Sequence, residues 1–302
     1  MTFVTCIYSN NPNSIIGGRG RDLSFFLPSL INISKLGFPL VLYTSPHLVE
    51  RTFESLNGYF TAGLKVIGYD LEKFKHFDKF INWKKENIDF KHHTNDRNEI
   101  LCYSKVYWLK FASENNFFND DTFMWIDAGL THHGIFPEAK GGVELLSKQL
   151  SSFYYPDNIN NIFTPTLGNN LLKRIKEDKM FFCVTPWQGY NDTFHKFLNK
   201  HFNKKIEDIR LNKHLVAGIF GGKIGTINNF FEKYEVFLEN IINDGIYCLE
   251  EQIYSVMYIM YPELFDYEFF ETWWFYSPGE RCSYLFTEGD SFYKIFERIK
   301  NG

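Results

Sequence analysis

Short apolar runs alternate with longer amphipathic stretches along most of the chain. Thr2 to Tyr8, Leu40 to Thr44, Leu64 to Tyr69, Phe123 to Ile126, Met180 to Val184 and Leu215 to Phe220 are apolar-rich and end near Gly, Pro, Asp or Ser. Most lack strict polar alternation, which predicts strands covered on both faces. The longer stretches predict helices. One covers about Cys102 to Asn115, led in by Asn95-Asp-Arg-Asn98 and stopped by Asn115-Asn116. A second follows Gly225, with Ile224, Ile227, Phe231, Tyr234, Leu238 and Ile241 at spacings of three and four before Asn243-Asp-Gly245. A third carries Leu249, Ile253, Val256, Met257 and Met260 on one face and ends at Pro262, with Glu250, Glu251 and Gln252 in its first turn. No repeat or low-complexity linker divides the chain. The pattern predicts an α/β fold with its strands covered on both faces.

Composition narrows the chemistry. The 302 residues carry a formal net charge of -4, so a nucleic-acid partner is not expected and a polyphosphate would need a local basic pocket. Cys6, Cys102, Cys183, Cys248 and Cys282 are odd in number and lack C-x-x-C spacing, which fits a reducing cytoplasm better than a disulfide framework or zinc site. Thr2 to Tyr8 reads as a first strand rather than a signal peptide, and no run reaches membrane-spanning length.

The run Phe123-Met-Trp-Ile-Asp-Ala-Gly-Leu130 concentrates the chemical signal. An apolar strand that stops at a carboxylate and a glycine belongs in a covered sheet, with Asp127 at the carboxyl edge where open α/β sheets bind ligands. Several familiar motifs fail. Leu23 stands where a third glycine would complete a dinucleotide fingerprint begun at Gly18, and Ala217 and Ile224 break the phosphate-loop pattern around Gly221-Gly-Lys223. His92-His93 and His132-His133 are adjacent pairs, a spacing that turns the rings apart. A basic Gly-rich loop after the first strand, a helix lysine, the strand ending at Asp127, a glycine-rich strand end and an acidic helix start remain. Those are the parts that sugar-nucleotide transfer requires: groups that hold a diphosphate, and carboxylates for a cation, sugar or acceptor hydroxyl.

Ser104-Lys105, the helix after it, Asn116-Phe-Phe118 and Phe123-Met-Trp-Ile-Asp-Ala-Gly129 resemble the signature of the HtrL/YibB (WlaTC) family of bacterial surface-polysaccharide loci. Val216-Ala-Gly-Ile-Phe-Gly-Gly222 and the opening Thr2-Phe-Val-Thr5 with Arg21 extend the resemblance over most of the chain. The layout is similar to GT-A glycosyltransferases, in which a helix bearing a basic residue precedes a strand ending in D-x-D. The resemblance implies a single α/β GT-A-like domain over 1-302, a mixed, mostly parallel sheet with helices on both faces, with 1-130 as the donor-nucleotide half and 131-302 as the acceptor half. It implies transfer of a monosaccharide, a hexose by expectation, from a nucleotide sugar to a glycan or lipid-linked acceptor. A non-catalytic binding protein that retains the fold is the alternative.

Carried over, the pattern puts Asp127 at the first acid of D-x-D, against the metal or donor ribose. Gly129 replaces the second acid, which puts a divalent cation, Mn²⁺ or Mg²⁺, in doubt; the diphosphate could carry the cation, or a basic side chain could replace it. Lys105 is expected near the donor, Arg21 and Arg19 on the diphosphate, and Tyr8 against the nucleobase. Gly218, Gly221 and Gly222 are expected to let the sugar or acceptor approach the backbone. The acid serving the sugar or acceptor is Glu251 in preference to Glu250. Trp187 and the aromatic stretch Phe269 to Tyr276 are expected on the acceptor side or in the core.

Overall fold

A computed structural model of the chain describes residues 1–8, 23–86, 96–129, 163–185, 192–203, 214–246, 248, 250–269 and 299–300. The first half supplies β1 (Thr2–Ile7), α1 (Leu23–Ser34), β2 (Leu40–Thr44), α2 (Val49–Leu56), β3 (Leu64–Gly68), α3 (Phe77–Glu86), α4 (Asp96–Asn115) and β4 (Thr122–Ile126). The second supplies α5 (Pro165–Arg174), β5 (Met180–Thr185), α6 (Asp192–Phe202), β6 (His214–Lys223), α7 (Ile224–Asn243), α8 (Glu250–Met260) and β7 (Phe265–Phe269). Among the described residues no helix is long and apolar enough to cross a membrane.

All seven strands join one sheet in the order β3-β2-β1-β4-β6-β5-β7. Every neighbouring pair is parallel except those made by β6, which runs against both β4 and β5. The sheet is therefore mixed and mostly parallel, and it draws strands from both halves of a single domain. Alternate residues feed two apolar layers, as the pleat requires. Val4, Val41, Tyr43, Phe123, Trp125, Phe182 and Phe220 face the layer built with α4, α6, α7 and α8. Phe3, Leu40, Leu42, Met124, Ile126, Phe181 and Val216 face the other, with α1, α2 and α5. Two covered faces explain why these strands lack polar alternation.

The helix expected from Cys102 begins at Asp96, and the segment Phe265–Phe269, to which the pattern assigned no strand, pairs with β5. A larger difference concerns β6. The sequence reading ends it at Phe220 with glycines closing it, whereas the strand runs on to Lys223 and in the opposite direction to its neighbours. Its beginning, rather than its end, lies at the sheet edge where β4 delivers Asp127. Gly221 and Gly222 pair with Met124 and Phe123 in the body of the sheet, away from that edge. A Cβ at Gly221 would come within 2.3 Å of the Phe123 carbonyl oxygen and 2.6 Å of the Met124 Cα. That glycine thus has a packing reason of its own: two backbones meet there at a distance that admits no side chain.

Candidate functional site

β4 is buried over its five residues and apolar in the last four, and its next residue is Asp127. The Asp127 amide donates to the Gly218 carbonyl at 2.8 Å, which continues the β4–β6 ladder by one bond and fixes the acid at the sheet edge. The carboxylate is anchored twice more. The indole Nε1 of Trp125 donates to Asp127 Oδ1 at 2.7 Å, and Lys105 Nζ lies 3.0 Å from the same oxygen and 3.3 Å from Oδ2. The Asp127 side chain stays 39% exposed, so an outward face remains open to a ligand.

Lys105 rises from the middle of α4 between Ser104 and Val106, both buried. Its ammonium also reaches Glu250 Oε1 at 3.1 Å and the Ala217 carbonyl oxygen at 3.3 Å. Two carboxylates and a carbonyl thus surround one buried cation, and its three N–H groups match three acceptor groups. Burial works to neutralise Lys105, but the charges of Asp127 and Glu250 outweigh it and hold the pKa well above 10.5. Burial likewise pushes the Glu250 carboxyl upward, against the pull of Lys105.

A bulge in β6 makes this arrangement possible. Phe182 of β5 pairs with Phe220, yet the next residue, Cys183, pairs with Val216, so Ala217 to Ile219 are passed over on the β5 side. The backbone of Ala217 is thereby released from the ladder. Its N–H donates to Glu251 Oε1 at 3.1 Å while its carbonyl accepts from Lys105. Bulges re-aim backbone groups in this way. Ser255, one turn along α8, locks the helix to the same strand: its Oγ donates to the Glu251 carbonyl at 2.7 Å and accepts from the Leu215 amide at 3.1 Å.

Several expected residues therefore gather at one edge: Lys105, Asp127, Gly218 and Glu251, with Gly129 in a half-buried turn two residues past the acid. Tyr8 is at the same edge but buried, its ring stacked on Trp108 at 5.4 Å and its hydroxyl donating to the Tyr69 carbonyl. Arg19, Arg21, Trp187 and the stretch from Phe270 onward lie outside the described residues. Glu250, which the sequence reading set second to Glu251, is the acid that pairs with Lys105. A signal for it was present. Glu250 precedes Ile253, Tyr254 and Met257 by three, four and seven residues, which puts it on the buried face of its helix, where a carboxylate needs a cation.

The described residues do not fit a tightly held divalent cation. Such ions take six or more oxygen ligands, and no group of three or more His, Cys, Asp and Glu side chains among the described residues is placed to hold one. Gly129 offers no side-chain oxygen, and the space between Asp127 and Glu250 is already filled by the Lys105 ammonium.

No protein-family model matches the chain, and no curated protein matches its sequence. Among solved structures, the apo form of mouse xyloside xylosyltransferase 1 aligns with a TM-score of 0.45 and 12% identity, over 97% of this chain and 94% of that one. Core-mannan synthase A from Aspergillus fumigatus, in an Mn/GDP form, aligns with a TM-score of 0.44 and 10% identity, over 99% of this chain and 85% of that one.

Proposed function

We propose that this chain is a glycosyltransferase that moves a monosaccharide, a hexose in the simplest case, from a nucleotide sugar to a glycan or lipid-linked acceptor. Its place would be the cytoplasmic synthesis of a surface polysaccharide or glycoconjugate. One observation carries the reading. A carboxylate stands at the carboxyl edge of the parallel strands, oriented by Trp125 and Lys105 while its outer face stays open. A carboxylate oriented in this way accepts hydrogen bonds from neighbouring hydroxyls, the groups that ribose and hexose rings present. The Trp125-Ile-Asp-Ala-Gly129 block and its resemblance to the HtrL/YibB family point the same way.

On this reading Asp127 holds donor hydroxyls, and Lys105 holds Asp127 and Glu250 in place. Arg21, with Arg19, meets the diphosphate, and Tyr8, buried against Trp108, packs behind the nucleotide side. The bond from the anomeric carbon to the diphosphate oxygen breaks as the acceptor oxygen bonds to that carbon. The electron pair leaves with the diphosphate, and the acceptor proton passes to a base. In an inverting reaction Glu251 is the residue assigned as that base. Gly218 and Trp187 belong to the sugar and acceptor side, whereas Gly221, paired with Met124 in the body of the sheet, serves packing.

Purified protein incubated with UDP-, GDP-, CMP- and TDP-sugars should release nucleotide slowly from one class, and Asp127→Asn should release far less. Failure of every donor to bind or turn over would remove the transferase reading. Donor binding without turnover, with or without added glycan, would favour the non-catalytic alternative, which the Gly129 substitution supports.

A further inference from the structure

We infer that the Lys105 ammonium is a built-in cation for the Asp127–Glu250 pair, so that the site takes its nucleotide sugar without a divalent metal ion. This rests on the nucleotide-sugar reading above and adds the cation requirement of that site.

The inference comes from the shape of the ammonium's surroundings. Four oxygens lie within 3.3 Å of Lys105 Nζ: both of Asp127, one of Glu250 and the Ala217 carbonyl. They come from three elements, β4, α8 and the bulge in β6, so the pocket is assembled by the fold rather than by a flexible surface lysine that found a partner. The side chain that fills it is 10% exposed, and Glu250 is 7% exposed. The Trp125 ring lies 5.8 Å from Nζ on the same side, and its N–H holds the Asp127 oxygen that Lys105 also contacts. Oxygen donors converging from separate elements on one buried positive centre are what a metal site would also require.

A dication could approach only the open face of Asp127. Among the described residues it would meet one carboxylate there, with no second side-chain oxygen from Gly129 and with the Lys105 ammonium 3.0 Å behind that carboxylate. Like charges that close oppose one another strongly in a partly desolvated site. Removing the ammonium should reverse the preference, leaving two carboxylates and a carbonyl facing an empty, cation-sized space.

Mn²⁺ alone is the first probe. Titration followed by electron paramagnetic resonance or calorimetry should detect no Mn²⁺ that depends on Asp127 in the wild type. Lys105→Ala should gain one bound Mn²⁺ and lose it again in Lys105→Ala combined with Asp127→Asn. In parallel, nucleotide-sugar binding to the wild type should be unchanged by chelator. Three results would overturn the inference: wild-type Mn²⁺ binding abolished by Asp127→Asn; no gained site in folded Lys105→Ala; or a fall of roughly tenfold or more in nucleotide-sugar affinity under chelator that Mn²⁺ restores, the size of a lost metal contact. The wild-type arms decide the matter even if Lys105→Ala does not fold. If no nucleotide sugar binds under any condition, the functional reading fails, while the Mn²⁺ arms still judge the built-in cation.

Discussion

Lys105 and its two acids form a largely buried ion-pair cluster. Removing one partner of a buried pair strands the other charge, which typically costs about 3–5 kcal/mol. Lys105→Met should therefore lower unfolding stability by about that much in urea titrations. Asp127→Asn, at a half-open position, should cost little stability and reduce turnover by about two orders of magnitude or more, as loss of a positioned charged group does. Asp127 was legible in the sequence because a lone acid closes a wholly apolar strand, and Lys105 because of its place ahead of that strand. The partner of Glu250 was not: its spacing to Ile253, Tyr254 and Met257 turns it inward. Which cation it meets there depends on how α8 docks. The docking is fixed by Ser255 and the β6 bulge, neither of which leaves a mark in local periodicity.

Among the elements, β6 sets the arrangement. It joins the strands of the first half to β5 and β7, and its bulge supplies the backbone groups that Lys105 and Glu251 use. Its length and direction were hidden from the pattern because Gly221 and Gly222 read as a strand end, although they are tolerated mid-strand by close backbone approach. Gly221→Ala should push β4 and β6 apart and destabilise the fold by about 1–3 kcal/mol or more, the cost of overpacking. Ser255→Ala should cost about 1–3 kcal/mol, because it leaves the buried Leu215 amide without its acceptor. Denaturant titrations check both, and a neutral outcome for Gly221→Ala would mean that the two strands can separate freely.

Across the whole molecule, the α/β class and the two covered faces followed from hydrophobic runs and their spacing, whereas the antiparallel β6 that makes the sheet mixed did not. The aromatic excess also gains a physical account, since the fully buried large side chains include Trp125, Tyr43, Tyr103, Tyr234 and Tyr254. Long-range charge pairs, by contrast, join residues that no local pattern relates. Glu235 of α7 accepts from Lys75 at 2.7 Å and from His76 at 2.9 Å, tying the turn before α3 to the far helix. Burial pushes the Glu235 carboxyl up, but the bonds from His76 and Lys75 overcome it and bring the pKa from 4.5 down to about 2. A folded pKa below the unfolded one gives stability that is complete above pH 4.5 and fades as pH falls toward about 2. Glu235→Gln should therefore be less stable than the wild type at neutral pH, with the gap closing across that acid window in urea titrations repeated at several pH values.

The stacking beside the site carries its own optical consequence. Trp108 and Trp125 lie nearly parallel, 6.1 Å between ring centres and 16° between planes, and the Trp125 N–H is bonded to Asp127. Two coupled indoles in a rigid chiral setting give a strong near-ultraviolet dichroism band, and whatever draws on the Asp127 carboxylate alters the field at one of them. Arrival of a ligand can then be watched without a label, with Trp125→Phe as the blank.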